Sequence, residues 1–491
     1  MRFSIINHDF KYELEKVLRL FMPFQKFEFH NSGDETDGVY TARFIGENIT
    51  DLVVCLNTDQ THLKKTAQID NNISNFDDEC ELTLAKLLYS CLVELTGYKA
   101  EWGIVTGIRP VRLLERLEEL YGKAGAVDYL KDSLYVSDDK IKLTQACLAK
   151  EDKIIRSSRP KDFSLYVSIP FCPSRCSYCS FVSHSVEQAQ KLIPEYIELL
   201  CREIEYTAAI SKRIGLNLRT VYIGGGTPTS LTAEQLLKVM TAIKENFDVF
   251  SVEEYTVEAG RPDTVTREKL EVVKKFGATR ISINPQTTND EVLKAVGRRH
   301  SAKDTVDAFR LAREVGFDNI NMDLIAGLTG DTPESFKNSV DELISLNPEN
   351  ITVHTLSMKR ASNMTKQSMF FGLSEGKPVA EMVKYAKSAL EAAGIYPYYM
   401  YRQGKTVGNL ENVGYSKEGY EGIYNIFIMD ETHTILACGA SAVTKMRQPG
   451  TNRIERIFNY KYPYEYIKGF SEMLNRKTGI EKFYSSFKLD K

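Results

Sequence analysis

Three cysteines crowd into eight residues of the run CPSRCSYCSF, with Cys172, Cys176 and Cys179 in CxxxCxxC spacing. Thiolates are soft ligands that suit zinc and iron–sulfur clusters, and a loop this short lets all three converge. Two readings follow from the residue types alone. His184, five residues beyond Cys179, completes a Cys3His set for tetrahedral zinc. Alternatively, three thiolates hold a [4Fe–4S] cluster and leave one iron without a protein ligand, an open position at which chemistry takes place. The other six cysteines, Cys55, Cys80, Cys91, Cys147, Cys201 and Cys438, are scattered singly, which excludes a disulfide scaffold and indicates a reducing, cytoplasmic setting.

Other residues of suitable chemistry lie downstream. Gly224, Gly225 and Gly226 end an apolar run, and their bare backbone can be approached closely by a ligand or simply form a tight turn. Glu258 offers a carboxylate to hydroxyl donors, Arg298 a planar fork to a carboxylate, and Asp323 an acceptor for hydroxyl or ammonium groups. Each also has a plain reading as a paired or solvated residue that braces the fold. His300 reads as a surface residue at a helix start, and His354 as either a substrate contact or a satisfied core histidine. Lys359, Arg360 and Arg402 read as solvated charge, with anionic substrate groups as the alternative. The segment TGIRP at 106–110 reads as a loop capping a helix that begins near Pro110.

The elements that must position these residues begin at residue 163. Strand-like runs LYVSIP (165–170), TVYIG (220–224), YTVEA (255–259), RISINP (280–285), NINMDLIA (319–326) and NITVHTL (350–356) alternate with amphipathic helical stretches, which predicts a parallel βα array. Polar residues recur at one parity of these strands: Tyr166 and Ser168; Thr256 and Glu258; Ser282, Asn284 and Gln286; Asn321 and Asp323; Thr352 and His354. The opposite parity is mostly apolar and needs helices to cover it, so the polar face lines the interior of a curved, partly closed sheet with room for polar ligands. The cysteine loop follows the first strand, at the C-terminal edge where barrels of this kind place active sites.

Around this array the chain divides into residues 1–160, 163–394 and 395–491. The first part reads as an α+β unit, with a hairpin at 39–45 and 51–57 and a helical stripe of Leu84, Leu87, Leu88, Cys91, Leu92 and Leu95 closed by Gly97. The charged run at 150–162 reads as a linker, and the Tyr-rich last part as an appended unit. At 491 residues, with 43% hydrophobic and 26% charged, the chain is long enough for two or three domains and too apolar for extensive disorder. Sixty-three Lys and Arg against 66 Asp and Glu give a net charge of -3, so no global field draws nucleic acid or an anionic membrane. No run approaches the ~20 apolar residues of a membrane span, and the N-terminal run MRFSIINHDFKYELEK soon turns polar, as in a soluble cytoplasmic protein.

The ordered motifs LYVSIPFCPSRCSYC, GGGTPT (224–229), VEAGRPDT (257–264), ISINPQT (281–287), VGRRH (296–300), DLIAGLTGDT (323–332) and CGASAV (438–443) resemble the radical S-adenosylmethionine (SAM) enzymes. Within these they resemble the oxygen-independent coproporphyrinogen III dehydrogenase group, which includes haem chaperones and haem-modifying relatives, and residues 1–160 resemble the extension of its HemZ subgroup. The resemblance implies an α/β fold: a partial (βα)6 radical SAM barrel with an α+β N-terminal domain and an appended C-terminal unit. It implies a [4Fe–4S] cluster on Cys172, Cys176 and Cys179, and S-adenosyl-L-methionine contacts at Tyr166, Tyr178, Gly225, Gly226, Thr227, Glu258 and Val443. Gln286, Arg298 and Asp323 match positions for a second S-adenosyl-L-methionine, giving two per chain. The implied activity is oxidative decarboxylation of two propionates of coproporphyrinogen III to vinyl groups, giving protoporphyrinogen IX, with an external electron donor and an external electron acceptor as partners of the tetrapyrrole reaction. Ser357 stands where the family commonly has Ala, Ser168 where the dehydrogenases have His, and Phe181 where they have a fourth Cys. Phe181 resembles the chaperone branch, so the alternatives are a haem-binding chaperone and another tetrapyrrole-modifying radical enzyme.

Overall fold

A computed structural model of the chain describes residues 1–58, 61–179, 184–357 and 373–487. They fall into two compact units. The first comprises Met1–Gln145 with the described residues of Ser357–Glu381 and Tyr401–Glu411. Its sheet is built from β1 (Arg2–Ile6), β2 (Glu28–His30), β3 (Val39–Ile45), β4 (Ile49–Asn57) and β5 (His62–Asp70), in the order β2-β1-β3-β4-β5. β2, β1 and β3 run parallel, whereas β3, β4 and β5 form the antiparallel hairpins that the alternating runs require. Leu14, Leu18 and Phe21 from the helix Lys11–Phe21 meet Leu84, Leu88 and Leu92 from the helix Phe76–Thr96 over Phe3, Leu52 and Val54 of the sheet. Gly97 closes the second helix at φ +66°, its N–H returning to Val93 O.

TGIRP is a loop, and Pro110 opens the helix Pro110–Asp128 where no backbone donor is missed. Arg402 corrects the expectation of solvated charge: it is buried, donates to Val105 O, Gly107 O and Asn409 O, and lies 5.2 Å from the Trp102 ring centre. Its fork braces this loop, and burial pushes its pKa down to about 10. The run read as a linker is also revised. The helix Asp138–Arg156 continues through residues 150–156, because neither Gly nor Pro interrupts it and Asp152 pairs with Arg156 one turn on.

The second unit contains β6 (Asp162–Ile169), the short pair β7 (Phe171–Cys172) and β8 (His184–Ser185), β9 (Asn217–Gly225), β10 (Glu254–Glu258), β11 (Arg280–Ser282), β12 (Ile320–Ala326) and β13 (Asn350–Thr355). β6-β9-β10-β11-β12-β13 are successive parallel neighbours, joined by the helices Ile193–Ile214, Ala233–Asn246, Arg267–Lys275, Ala302–Val315 and Pro333–Leu346, which is the partial (βα)6 barrel. Leu165, Val167, Val221, Ile223, Val257, Ile281, Met322 and Val353 are buried at the apolar parity. The polar parity links across strands: Ser164 to Thr220, Asn321 to Ser282 and Thr352 to Asn321.

The Tyr-rich C-terminal region supplies strands to both ends of this sheet. β14 (Tyr396–Arg402) and β15 (Glu411–Ser416) extend the β13 edge; β16 (Thr434–Cys438) lies parallel to β6, followed by the antiparallel β17 (Val443–Arg447) and β18 (Ile454–Phe458). No described helix is long and apolar enough to cross a membrane.

Candidate functional site

β6 ends at Ile169 and Pro170 leads into β7, which brings Cys172 to the C-terminal edge of the sheet. The described residues beyond it are held by backbone hydrogen bonds from Ser177 N to Val296 O (3.1 Å), Cys179 N to Cys176 O (3.1 Å) and His184 N to Pro170 O (3.0 Å). Cys176 is buried, Cys172 and Cys179 are half-buried, and none is in a disulfide. Thr227 Oγ1 donates to Cys172 Sγ at 3.5 Å and Arg261 Nη1 to Cys176 Sγ at 3.7 Å. His184 lies edge-on to Tyr462 and Tyr464, and its Nε2 is buried without a hydrogen-bond partner. Among the described residues no three His, Cys, Asp or Glu side chains gather as ligands of a single metal ion. A [4Fe–4S] cluster takes one thiolate per iron and needs only that the thiolates surround a larger group. Three thiolates on one loop, with donors aimed at two of the sulfurs, fit that group.

The glycine turn at the end of β9 is laced to the cysteine loop. Gly226 N donates to Ile169 O at 2.8 Å and Thr227 N to Phe171 O at 2.7 Å. A Cβ on Gly226 would stand 2.6 Å from Phe171 O, and one on Gly225, whose φ is +104°, 2.7 Å from the Oγ of buried Ser168. The protein's own packing therefore requires these glycines.

Inside the barrel, Tyr166 and Tyr222 stack with Tyr424 of the helix Ile423–Asp430, and the Tyr222 hydroxyl donates to Glu258 Oε1. Burial pushes the Glu258 carboxyl up to about 7, with the Tyr222 hydrogen bond pulling it back. Asp323 accepts from Asn321 Nδ2 at 2.8 Å and lies 3.7 Å from His354 Nε2. Burial works against its ionisation, yet His354 and Asn321 hold this carboxyl below the usual range. Two interior carboxyls are thus set apart in proton affinity.

Gln286 sits just past β11 at φ +72°, and its N donates to Asp323 O. Its Oε1 is buried without a partner, as expected of an acceptor that a ligand completes. Arg298 donates from Nε to Tyr178 Oη at 3.0 Å and from Nη1 to Asn284 O at 2.6 Å, while the Tyr178 ring packs on Val292, Val296, Ile325 and Leu328. Val443 is half-buried at the start of β17. His300, expected on the surface, is buried 3.8 Å from Asp263, and burial beside Arg298 pushes it down to about 4. Ser357 falls in the first unit, where its Oγ donates to Gly404 O. Phe181, Lys359 and Arg360 lie outside the described residues.

Three residues at this site escape the sequence reading. Arg261 stands inside VEAGRPDT, and Tyr222 shares the interior parity with Thr220 and Gly224, so both left a signal. Tyr424 left none, because a helix remote in sequence carries it in.

The profile of the Radical SAM superfamily matches residues 166–343. The Escherichia coli coproporphyrinogen III oxidase HemN, described as a radical SAM enzyme, shares the fold with a TM-score of 0.51 at 22% identity, over 66% of this chain and 72% of that one. Fold and site thus define a radical SAM protein, a class that implies a [4Fe–4S] cluster and SAM. The Bacillus subtilis oxygen-independent coproporphyrinogen-III oxidase-like protein HemZ is 40% identical over 399 residues, 80% of each chain. The B. subtilis haem chaperone HemW is 35% identical over 267 residues, 54% of this chain and 66% of that protein. The chain belongs to the oxygen-independent coproporphyrinogen III oxidase-like family of HemZ.

Proposed function

We propose that the protein converts two propionates of coproporphyrinogen III to vinyl groups by radical oxidative decarboxylation, giving protoporphyrinogen IX. The observation that carries this reading is the 40% identity, over 80% of both chains, to HemZ, a relative named as coproporphyrinogen-III oxidase-like. When bound, the cluster and SAM supply a deoxyadenosyl radical that takes one hydrogen atom from a propionate β-carbon. The remaining substrate radical gives one electron to an external acceptor and releases carbon dioxide as the C=C bond forms. An external donor supplies one electron for each SAM cleaved, so two vinyl groups consume two of each.

Cys172, Cys176 and Cys179 hold the cluster. Gly225, Gly226 and Thr227 receive the methionine part of SAM, Glu258 accepts its ribose hydroxyls, and Tyr166, Tyr178 and Val443 bound the adenosine. Gln286, through its orphaned Oε1, takes a second SAM together with Arg298 and Asp323. That count suits two vinyl groups per tetrapyrrole.

A haem-delivering chaperone is the second reading, favoured by the 35% identity to HemW and by Ser168 and Phe181 in place of the dehydrogenase His and Cys. Anaerobic reconstitution should load about four iron and four sulfide per chain. With reductant, SAM, coproporphyrinogen III and an electron acceptor, chromatography should then find protoporphyrinogen. A protein that takes zinc and refuses iron would overturn the radical reading. Deoxyadenosine without vinyl product, from a protein that binds stoichiometric haem, would give the chaperone reading the lead.

A further inference from the structure

Cys176 faces a buried cation that the reaction scheme above leaves without a role. Arg261 stands just beyond β10, and its side chain is 3% exposed. Asp263 grips the guanidinium by one edge, with Nε to Oδ1 at 2.9 Å and Nη2 to Oδ2 at 3.1 Å. The remaining nitrogen, Nη1, reaches Ser174 Oγ at 3.1 Å and Cys176 Sγ at 3.7 Å. Ser174 spends its own proton on Gly297 O at 3.1 Å, so it meets Arg261 as an acceptor. The turn is held in its own right by Thr264 Oγ1, 2.7 Å from Arg261 O. A two-point pair fixes the plane of a guanidinium, and only Arg satisfies Asp263 with two nitrogens while a third is aimed elsewhere.

We propose that Arg261, aimed by Asp263, is a positioning residue that raises the reduction potential of the cluster on Cys172, Cys176 and Cys179. The inference rests on the cluster assignment made above and adds to it one charged group, beside the Thr227 hydroxyl at Cys172, that bears on how readily the cluster accepts an electron. Reduction adds negative charge that spreads onto the ligand sulfurs. An N–H donor at a ligand sulfur stabilises the reduced form more than the oxidised one, which moves the potential upward. Burial leaves the interaction weakly screened by solvent. Asp263 balances the charge of the pair from the opposite edge, so the sulfur faces the positive end of a fixed dipole.

The test is a redox titration of the full-length, anaerobically reconstituted protein, followed by electron paramagnetic resonance. Arg261→Met should retain its iron and titrate at a more negative potential. At a fixed poise the ratio of reduced to oxidised cluster should fall about tenfold, equivalent to about 59 mV for a one-electron couple. An unchanged potential with the cluster intact would reduce Arg261 to a clamp on its turn and overturn the proposal. If Arg261→Met does not hold a cluster, Arg261→Gln, which keeps a neutral donor for Ser174, decides: a lower potential supports the proposal and an unchanged one overturns it. Failure of the unmutated protein to assemble any iron–sulfur cluster would defeat the cysteine assignment itself, and this inference with it.

Discussion

Glu258 carries opposed demands on one carboxyl. Burial favours its neutral form and brings its pKa to about 7, while a ligand offering hydroxyl donors favours the ionised form. The folded value is raised, so the stability tied to the neutral carboxyl is full below the ordinary value of 4.5 and is lost as pH rises through about 7. A ribose bound there should gain from the same ionisation, and SAM should bind cluster-loaded protein more tightly as pH rises across about 7. The ligand's amino group also titrates near pH 8 or just below, so Glu258→Gln supplies the baseline. Calorimetry should find that variant weaker by about ten- to a hundredfold at pH 8, without the wild-type rise and with an unchanged cluster spectrum. Equal affinities and parallel pH profiles would leave Glu258 as a brace. Glu258 and Asp323 were legible in the sequence because polar residues at one parity of buried parallel strands need an interior to face. Arg402 and His300 were not, since a charged or titratable residue in a loop reads as solvated until the fold brings the Val105 carbonyl or Arg298 against it.

At the scale of elements, the joint between β9 and the cysteine loop decides whether the thiolates stand in register. The Gly226 N–H and the Thr227 N–H bind carbonyls on either side of Pro170, and no space remains for a side chain between the two segments. In Gly226→Ala the new methyl would meet backbone oxygens of Phe171 and Ile169 at 2.6 and 2.8 Å, which cannot swing aside as a side chain would. Overpacking of this kind costs about 1–3 kcal/mol. The variant should melt several degrees lower and lose a larger share of its iron than of its folded fraction, read by iron analysis beside circular dichroism. Gly107→Ala, with open space around it, should change neither, whereas full iron in Gly226→Ala at an unshifted melting temperature would count against the joint. The six parallel strands were legible because their period of two breaks into a helical period between them. β16 was not: after Thr434 the run ILAC is apolar without alternation, and nothing local says that its partner is β6, far back in the chain. The run at 150–156 misled through its charge, which suits a solvated helix as well as a linker.

At the scale of the whole second unit, the last described helix is tied to the strand that precedes the cysteine loop. Lys477, on the helix Phe470–Ser485, is wholly buried, with Nζ 3.0 Å from Glu203 Oε1 and 2.6 Å from Ala437 O. Glu203, on the helix Ile193–Ile214, also accepts from Gly439 N, the Tyr466 hydroxyl and Asn459 Nδ2. Gly439 opens the turn that leads to Val443, and beside it the Tyr196 hydroxyl takes a hydrogen bond from Ala440 N and gives one to Ser168 O. Removing one partner of a buried pair strands the other charge, at a cost of about 3–5 kcal/mol. Three donors remain on Glu203 after Lys477→Met, so the loss should lie near the lower end, about 3 kcal/mol, in urea unfolding of the second unit. Adding Glu203→Gln should restore part of that loss, because an amide needs no counter-charge and can still accept from Gly439 and Tyr466. A loss under about 0.5 kcal/mol in Lys477→Met would be an ordinary surface effect. The apolar face of Met473, Ile480 and Phe483 would then suffice to seat the helix, and the cysteine loop would owe its register to β9 and the turn at Val296 alone.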